Sequence, residues 1–281
     1  MEDIIMKLFK SLVFVLLSIA LLALAGCGGG DKKQETKPAA AAKEIKIGAT
    51  AGPHAQVVEA VAKEGKKQGL NIKVIEFSDY ITPDKALADG EIDLVSYQHK
   101  PFMENFNKQN KSDLVAIGRT ILMRMGIYSD KYKDLKDIPA NALIAIPNDP
   151  TNGGRGLVLL EKAGLIKLKE GVGFKATAKD VVDNPKKFQF KELEAAQLPR
   201  SLQDVDAAVI TMNYVMSGGL DVKKQGLFWE TKDEPLAVMI LAVKGKDKDT
   251  PTYVKIAELF RSEGVRKYIA DTFKGTIVPA E

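Results

Sequence analysis

The constraint that most narrows what this chain can fold into is an alternation of short apolar runs with longer amphipathic stretches, running from residue 45 nearly to the end. Ile45, Ile47 and Ala49 predict a strand closed by Gly52-Pro53. From His54 to Gly69, Val57, Val58, Val61 and Ala62 form one stripe and Glu59, Lys63, Lys66 and Lys67 lie off it, which predicts a helix. Ile72, Val74 and Ile75 then predict a strand, Pro83 opens a short helix that ends at Gly90, and Ile92 to Val95 predict another strand. Pro101 starts the next helix, and Leu114 to Ile117 and Ile121 to Tyr128 read as strands. The alternation begins afresh at Leu143-Ile144-Ala145-Ile146, followed by a helix from Thr151 to Ala163. Strands at Phe188 to Leu193, Ala207 to Ile210 and Val238 to Val243 come next, and helices at Tyr253 to Arg261 and Gly264 to Phe273 close the chain. Such βα units imply an α/β fold with parallel-type sheets covered by helices, and two starts imply two lobes.

Ahead of this body lies a segment of another kind. Lys7 and Lys10 precede an apolar run from Leu12 to Ala25, too short for the ~20 residues a bilayer span needs, so residues 1–26 are expected to be a signal peptide. The run ends in Leu24-Ala25-Gly26-Cys27, which resembles a bacterial lipobox, and Cys27 is the only cysteine among 281 residues. Lipidation at Cys27 is expected to anchor the protein on the extracytoplasmic face of a membrane, since two or more fatty chains hold stably where one does not. Residues 27–43, rich in Gly, Lys, Glu and Ala, contain nothing that could build a core and read as a flexible tether.

Several chemistries are excluded. A formal net charge of +4 is too dilute for nucleic-acid binding. One cysteine forbids an internal disulfide, and two histidines in different units leave no metal cluster, so no metal or cofactor is expected. The hydrolase elbow, the phosphate-loop lysine and the zinc-protease helix are absent, and no catalytic group stands out.

Two segments carry binding chemistry. Asn148-Asp149-Pro150-Thr151-Asn152-Gly153-Gly154-Arg155 links a buried-type strand to a helix. Free N–H groups at the helix start suit an anion, the glycines admit a ligand to the backbone, and Arg155 suits a carboxylate. The same residues equally suit a plain helix cap with Arg155 in solvent. Ser96-Tyr97-Gln98-His99-Lys100-Pro101-Phe102, at the end of a strand, offers aromatic and imidazole rings for an apolar slot, or a core and a cap. Ser78-Asp79-Tyr80 ends another strand in the same way.

Longer strings are more specific. Gly48 to His54, Phe77 to Tyr80, Ala86 to Gly90, Gln98-His99-Lys100-Pro101, Ile146 to Gly154 and Glu192 to Leu202 resemble the MetQ/NlpA family of lipoproteins, substrate-binding subunits of the bacterial methionine ABC importer. The resemblance implies a two-lobed, periplasmic-binding-protein-like fold with hinge crossings near Met125 to Ser129 and Pro235 to Ile240. Residues 44–124 plus 238–281 would form one lobe and 125–237 the other, closing over one amino acid. It implies Tyr80, Tyr97, His99 and Phe102 around the ligand side chain and Arg155 on its carboxylate, with Asn152, Thr211, Asn213 and Val238 completing the site. It further implies an ABC permease and ATPase complex as partners. The chain departs from the family at several places. A Phe/Tyr pair is exchanged at Tyr97 and Phe102, Asn positions are occupied by Thr211 and Val238, and Ile121 to Met125 replaces a stretch that usually carries aromatics and Pro. Those departures keep open a related ligand, such as a Met-containing dipeptide, or a surface interaction role without transport.

Overall fold

The computed structural model describes residues 43–281. The signal peptide, Cys27 and all but the last residue of the tether lie outside the described residues.

The chain starts the first lobe with β1 (Glu44–Thr50), α1 (Pro53–Lys66), β2 (Asn71–Phe77), α2 (Thr82–Asp89), β3 (Leu94–His99), α3 (Lys100–Asn110) and β4 (Leu114–Leu122). Each helix has a local reason to begin where it does. Pro53, Pro83 and Pro101 sit in the first turns, where a missing N–H costs nothing. Asp79 accepts hydrogen bonds from the Ile81 and Thr82 backbone N–H groups (2.7 and 2.8 Å), fixing the turn that carries Tyr80 into α2. Gly90 ends α2 in the left-handed conformation (φ 80°) that a Cβ would oppose.

The chain then crosses to the second lobe, built from β5 (Met125–Tyr128), β6 (Leu143–Pro147), α4 (Pro150–Lys162), β7 (Lys167–Leu168), β8 (Val181–Asp183) and β9 (Gln189–Leu193). It continues with α5 (Leu198–Ser201), β10 (Ala207–Thr211), α6 (Met212–Ser217), α7 (Val222–Gln225) and β11 (Gly226–Trp229). A second crossing returns it to the first lobe for β12 (Val238–Lys244), α8 (Pro251–Leu259), α9 (Glu263–Phe273) and β13 (Val278–Pro279).

The first sheet has the order β13-β4-β12-β3-β1-β2 and the second β11-β5-β10-β6-β9, while β7 and β8 pair alone. Val57, Val58 and Val61 of α1 join Ile256 of α8 and Ile269 of α9 in one apolar layer with Ile47, Leu94 and Leu241 of the sheet. A separate layer contains Leu87 of α2 and Met103 of α3 against Val95, Tyr97, Ile240 and Ala242. In the second lobe, Leu157 and Leu160 of α4 share a core with Ile127, Ile144, Ile146 and Val209.

The structure departs from three of the sequence expectations. The sheets are mixed, not parallel throughout: β12 runs antiparallel to both β3 and β4, and β10 and β11 run antiparallel to β5. The strand expected at Ile92 to Val95 runs instead from Leu94 to His99, because β12 supplies a partner as far as His99, opposite Met239. Ile121 to Tyr128 is not one strand. Leu122 pairs with Val238 and Val278 in the first sheet, Met125 with Thr211 in the second, and Met123-Arg124 forms the passage between them.

Candidate functional site

Two strand ends and two helix starts converge where the lobes meet. At the end of β3, the His99 side chain caps α3, with Nδ1 accepting from the Phe102 backbone N–H at 3.2 Å. A neutral imidazole that accepts at Nδ1 carries its proton on Nε2. Nε2 lies 3.1 Å from Asn152 Oδ1 and donates to it, joining the two lobes. Burial, reinforced by the nearby Arg155 charge, pushes the His99 imidazole down to about 3, so it is neutral in ordinary buffers. The capping and binding readings of His99 are therefore compatible: one nitrogen caps and the other faces the cleft.

Asp149 caps α4. Its carboxylate accepts from the Asn152 backbone N–H (2.8 Å), from Thr151 Oγ1 (3.0 Å) and from Asn152 Nδ2 (3.0 Å). The helix start expected to attract an anion already holds one of its own. Both glycines are also packed closely by the chain's own backbone. A Cβ on Gly153 would come within 2.8 Å of the Pro147 carbonyl oxygen, and one on Gly154 within 2.0 Å of that of Phe174. The end of β6 and the 173–176 segment thus approach the two glycines closely, while an open hollow lies beside them.

Arg155 is buried, with 3% of its surface exposed, so it is no solvated surface residue. Its Nε donates to Glu230 Oε1 (2.7 Å), and Nη2 donates both to Glu230 Oε2 (2.6 Å) and to the Met123 carbonyl (3.1 Å). Glu230 is buried as well and also accepts from the Met125 backbone N–H at 2.7 Å. The pair thus sits between the two crossings of the chain.

These groups surround a tight slot of about 20 Å³, room for little more than a water, so the lobes are closed on each other here. From the first lobe, Tyr80, Tyr97, His99 and Phe102 line it; from the second, Asn152, Arg155 and Thr211. The rings meet at steep angles, Tyr80 to Phe102 at 75° and Tyr97 to Phe102 at 77°, so edges and faces alternate around the apolar end. Met123 and Met239 add two thioethers to the same lining, with His54 and Gln98 beside them.

Two candidates lie elsewhere. Val238 is half-buried and is not among the lining residues; its neighbour Met239 is, because successive residues of β12 point to opposite faces. Asn213 stands beside the slot, fully buried, with Nδ2 3.4 Å from the Ala51 carbonyl and Oδ1 without a partner. Sequence reasoning missed Met123, Met239, His54 and Glu230. For Glu230 the clue comes only with the burial of Arg155, since a buried guanidinium requires a buried counter-charge.

Further bonds tie the lobes together around the slot. Tyr80 Oη lies 2.9 Å from Thr211 Oγ1, and Tyr214 Oη donates to the Ser78 carbonyl at 3.1 Å. The Tyr80 and Tyr214 rings pack with centroids 4.7 Å apart. Beneath Tyr97 a fully buried Asp84 accepts from Gln98 Nε2, while Asp84 Oδ2 and Gln98 Oε1 have no partner. Burial pushes the Asp84 carboxyl up to about 7.

Comparison with known proteins places this architecture. The profile of the NlpA lipoprotein family matches residues 45–281. The chain belongs to the NlpA lipoprotein family. The D-methionine-binding lipoprotein MetQ of Salmonella typhimurium is 40% identical over 273 residues, covering 96% of this chain and 97% of that protein, and MetQ of Escherichia coli K12 matches to the same extent. Among solved structures, a nutrient-binding protein from Burkholderia cenocepacia bound to methionine superposes with a TM-score of 0.81 at 44% identity, over 84% of this chain and all of that one. The methionine-binding protein MetQ superposes with a TM-score of 0.81 at 40% identity, over 84% of this chain and 98% of that one. The fold is α/β and two-lobed, and this chain passes twice between its two large sheets. No helix among the described residues is long and apolar enough to cross a membrane.

Proposed function

We propose that this protein is the lipid-anchored substrate-binding component of an ABC importer, capturing methionine or a closely related amino-acid-like solute between its lobes. The observation that carries this reading is the slot itself. Aromatic rings and two thioethers line one part of it, and Arg155, the only permanently charged side chain in its lining among the described residues, lies in another. A thioether packs well against aromatic edges, and Nη1 of Arg155, which makes no hydrogen bond to the described residues, is available to a carboxylate. The methionine-bound relative supports the same assignment.

The lobes divide at Arg124/Met125 and at Ala237/Val238. Ligand entry requires them to part, since the His99–Asn152 and Tyr80–Thr211 bonds bridge them around the slot. The closed form is then presented to a permease and its ATPase; no bond is made or broken. Cys27 carries the fatty chains that keep the protein at the membrane.

Calorimetric titration with L-methionine, D-methionine and glycyl-methionine tests the reading. At least one is expected to bind at micromolar concentration or below, and Arg155→Ala is expected to lose at least tenfold in affinity. Failure of all three to bind the folded protein would favour the surface-interaction role instead. For the anchor, Cys27→Ser is expected to move the protein from the membrane to the soluble fraction.

A further inference from the structure

The guanidinium in the slot brings its own counter-ion. A guanidinium has five N–H donors. One on Nε and both on Nη2 are committed, two to the Glu230 carboxylate and one to the Met123 carbonyl. Only the two N–H groups of Nη1 remain. Glu230 does not line the slot; it lines a separate cavity that Arg155 also borders. Its position is fixed from two directions, since Oε2 accepts from the Met125 N–H and its own backbone N–H donates to the Met125 carbonyl at 3.0 Å. These bonds hold the carboxylate beside the guanidinium independently of any ligand.

We infer that Glu230 is a specificity-determining residue, holding the slot near electrical neutrality so that it selects a solute whose own charges cancel. This rests on the reading of the slot as an amino-acid site. The other ionisable groups around it add no positive charge: the Asp149 carboxylate is taken up in capping α4, Asp84 keeps its proton up to about pH 7, and the buried His54 and His99 imidazoles are neutral. A monoanion entering this slot loses its hydration and meets a guanidinium whose charge Glu230 has already cancelled. A zwitterion of the same shape brings its own balancing ammonium, and its carboxylate takes the two Nη1 donors without leaving net charge buried. Desolvated charges interact strongly at these separations, so one extra buried charge decides between the two solutes.

The test compares two probes on the full-length protein in detergent: L-methionine, and 4-(methylsulfanyl)butanoate, which is methionine without its amine. Glu230→Gln keeps the shape of the side chain and removes its charge; Glu230→Asp keeps the charge. Wild type is expected to prefer methionine at least 100-fold. Glu230→Gln is expected to narrow that preference at least tenfold, mainly by gaining affinity for the anion, and Glu230→Asp to retain most of it. A Glu230→Gln protein with a normal melting curve and an unchanged preference would overturn the role of Glu230 while leaving the amino-acid site standing. If Glu230→Gln does not fold, the wild-type titrations decide, and a preference below tenfold overturns the inference. Absence of binding by both probes would overturn the amino-acid reading and this inference with it.

Discussion

Replacing Asp84 with Asn should stabilise the protein at alkaline pH and not at acid pH. Asp84 is fully buried, and one oxygen finds Gln98 Nε2 while the other finds nothing. Its carboxyl is pushed by burial from 3.8 up to about 7. Between those two values the folded state keeps a proton that the unfolded chain has released, so stability falls as pH rises across that window. Every tenfold difference in proton affinity between the two states is worth about 1.4 kcal/mol, giving a loss on the order of 2–4 kcal/mol by pH 8 after allowance for relaxation. Asn fits the same space without charge, and its Nδ2 supplies the donor that the orphaned Gln98 Oε1 lacks. At roughly 2–4 °C per kcal/mol for a domain of this size, the expected rise in melting temperature at pH 8 is about 4–16 °C, shrinking towards zero at pH 4. Thermal unfolding of both proteins at half-unit pH steps measures it. A difference that does not vary with pH, or an Asn variant that melts lower at pH 8, would refute the reasoning.

Three other outcomes follow from the same geometry. Tyr80→Phe removes the inter-lobe bond to Thr211 Oγ1, worth about 0.5–1.5 kcal/mol, so methionine affinity should drop roughly two- to tenfold in titration while the melting curve stays close to wild type. Gly154→Ala would drive a methyl group to 2.0 Å from the Phe174 carbonyl oxygen, and either the 173–176 segment moves or the protein loses several kcal/mol, visible as a lowered denaturant midpoint. His54 and His99 are both held near 3 by burial, below the unfolded value of 6.5; the unfolded chain therefore binds more protons as pH falls from 6.5 towards 3, and stability should decline over that range. His99→Gln, which keeps a polar group able to reach Asn152, should flatten that decline.

The repeating units were legible because their information is local: Pro at helix starts, valines at helical spacing in α1 and apolar runs in β1, β6 and β10 each act within a few residues. What was not legible depended on distant partners. β3 runs to His99 only because β12, more than a hundred positions later, lies beside it. The passage at Met123-Arg124 exists because Leu122 and Met125 find partners in different sheets. At the site, the ring-bearing residues Tyr80, Tyr97, His99 and Phe102 are singled out by the family resemblance, their chemistry alone suiting a core equally, and they sit together in the slot. Glu230, in a run of ordinary charged residues, is 75 positions from Arg155 and gave no local sign. The choice between Val238 and Met239 turned on one step of strand phase, which depends on register and not on residue type.

The two strand crossings are also stitched to each other. The Met123 N–H reaches the Ala237 carbonyl at 2.7 Å, and the Glu230 and Met125 backbones are joined at 3.0 Å, with the Glu230 carboxylate locking the same rung. A pair of separate ropes would let one half of the molecule swivel and shear against the other. Fastened side by side, they are expected to act as a single flat strap that bends more readily than it twists, which would confine the mouth to one arc. Because Arg155 grips that strap directly, whatever docks on its guanidinium pulls at the pivot itself, and not only at the jaws.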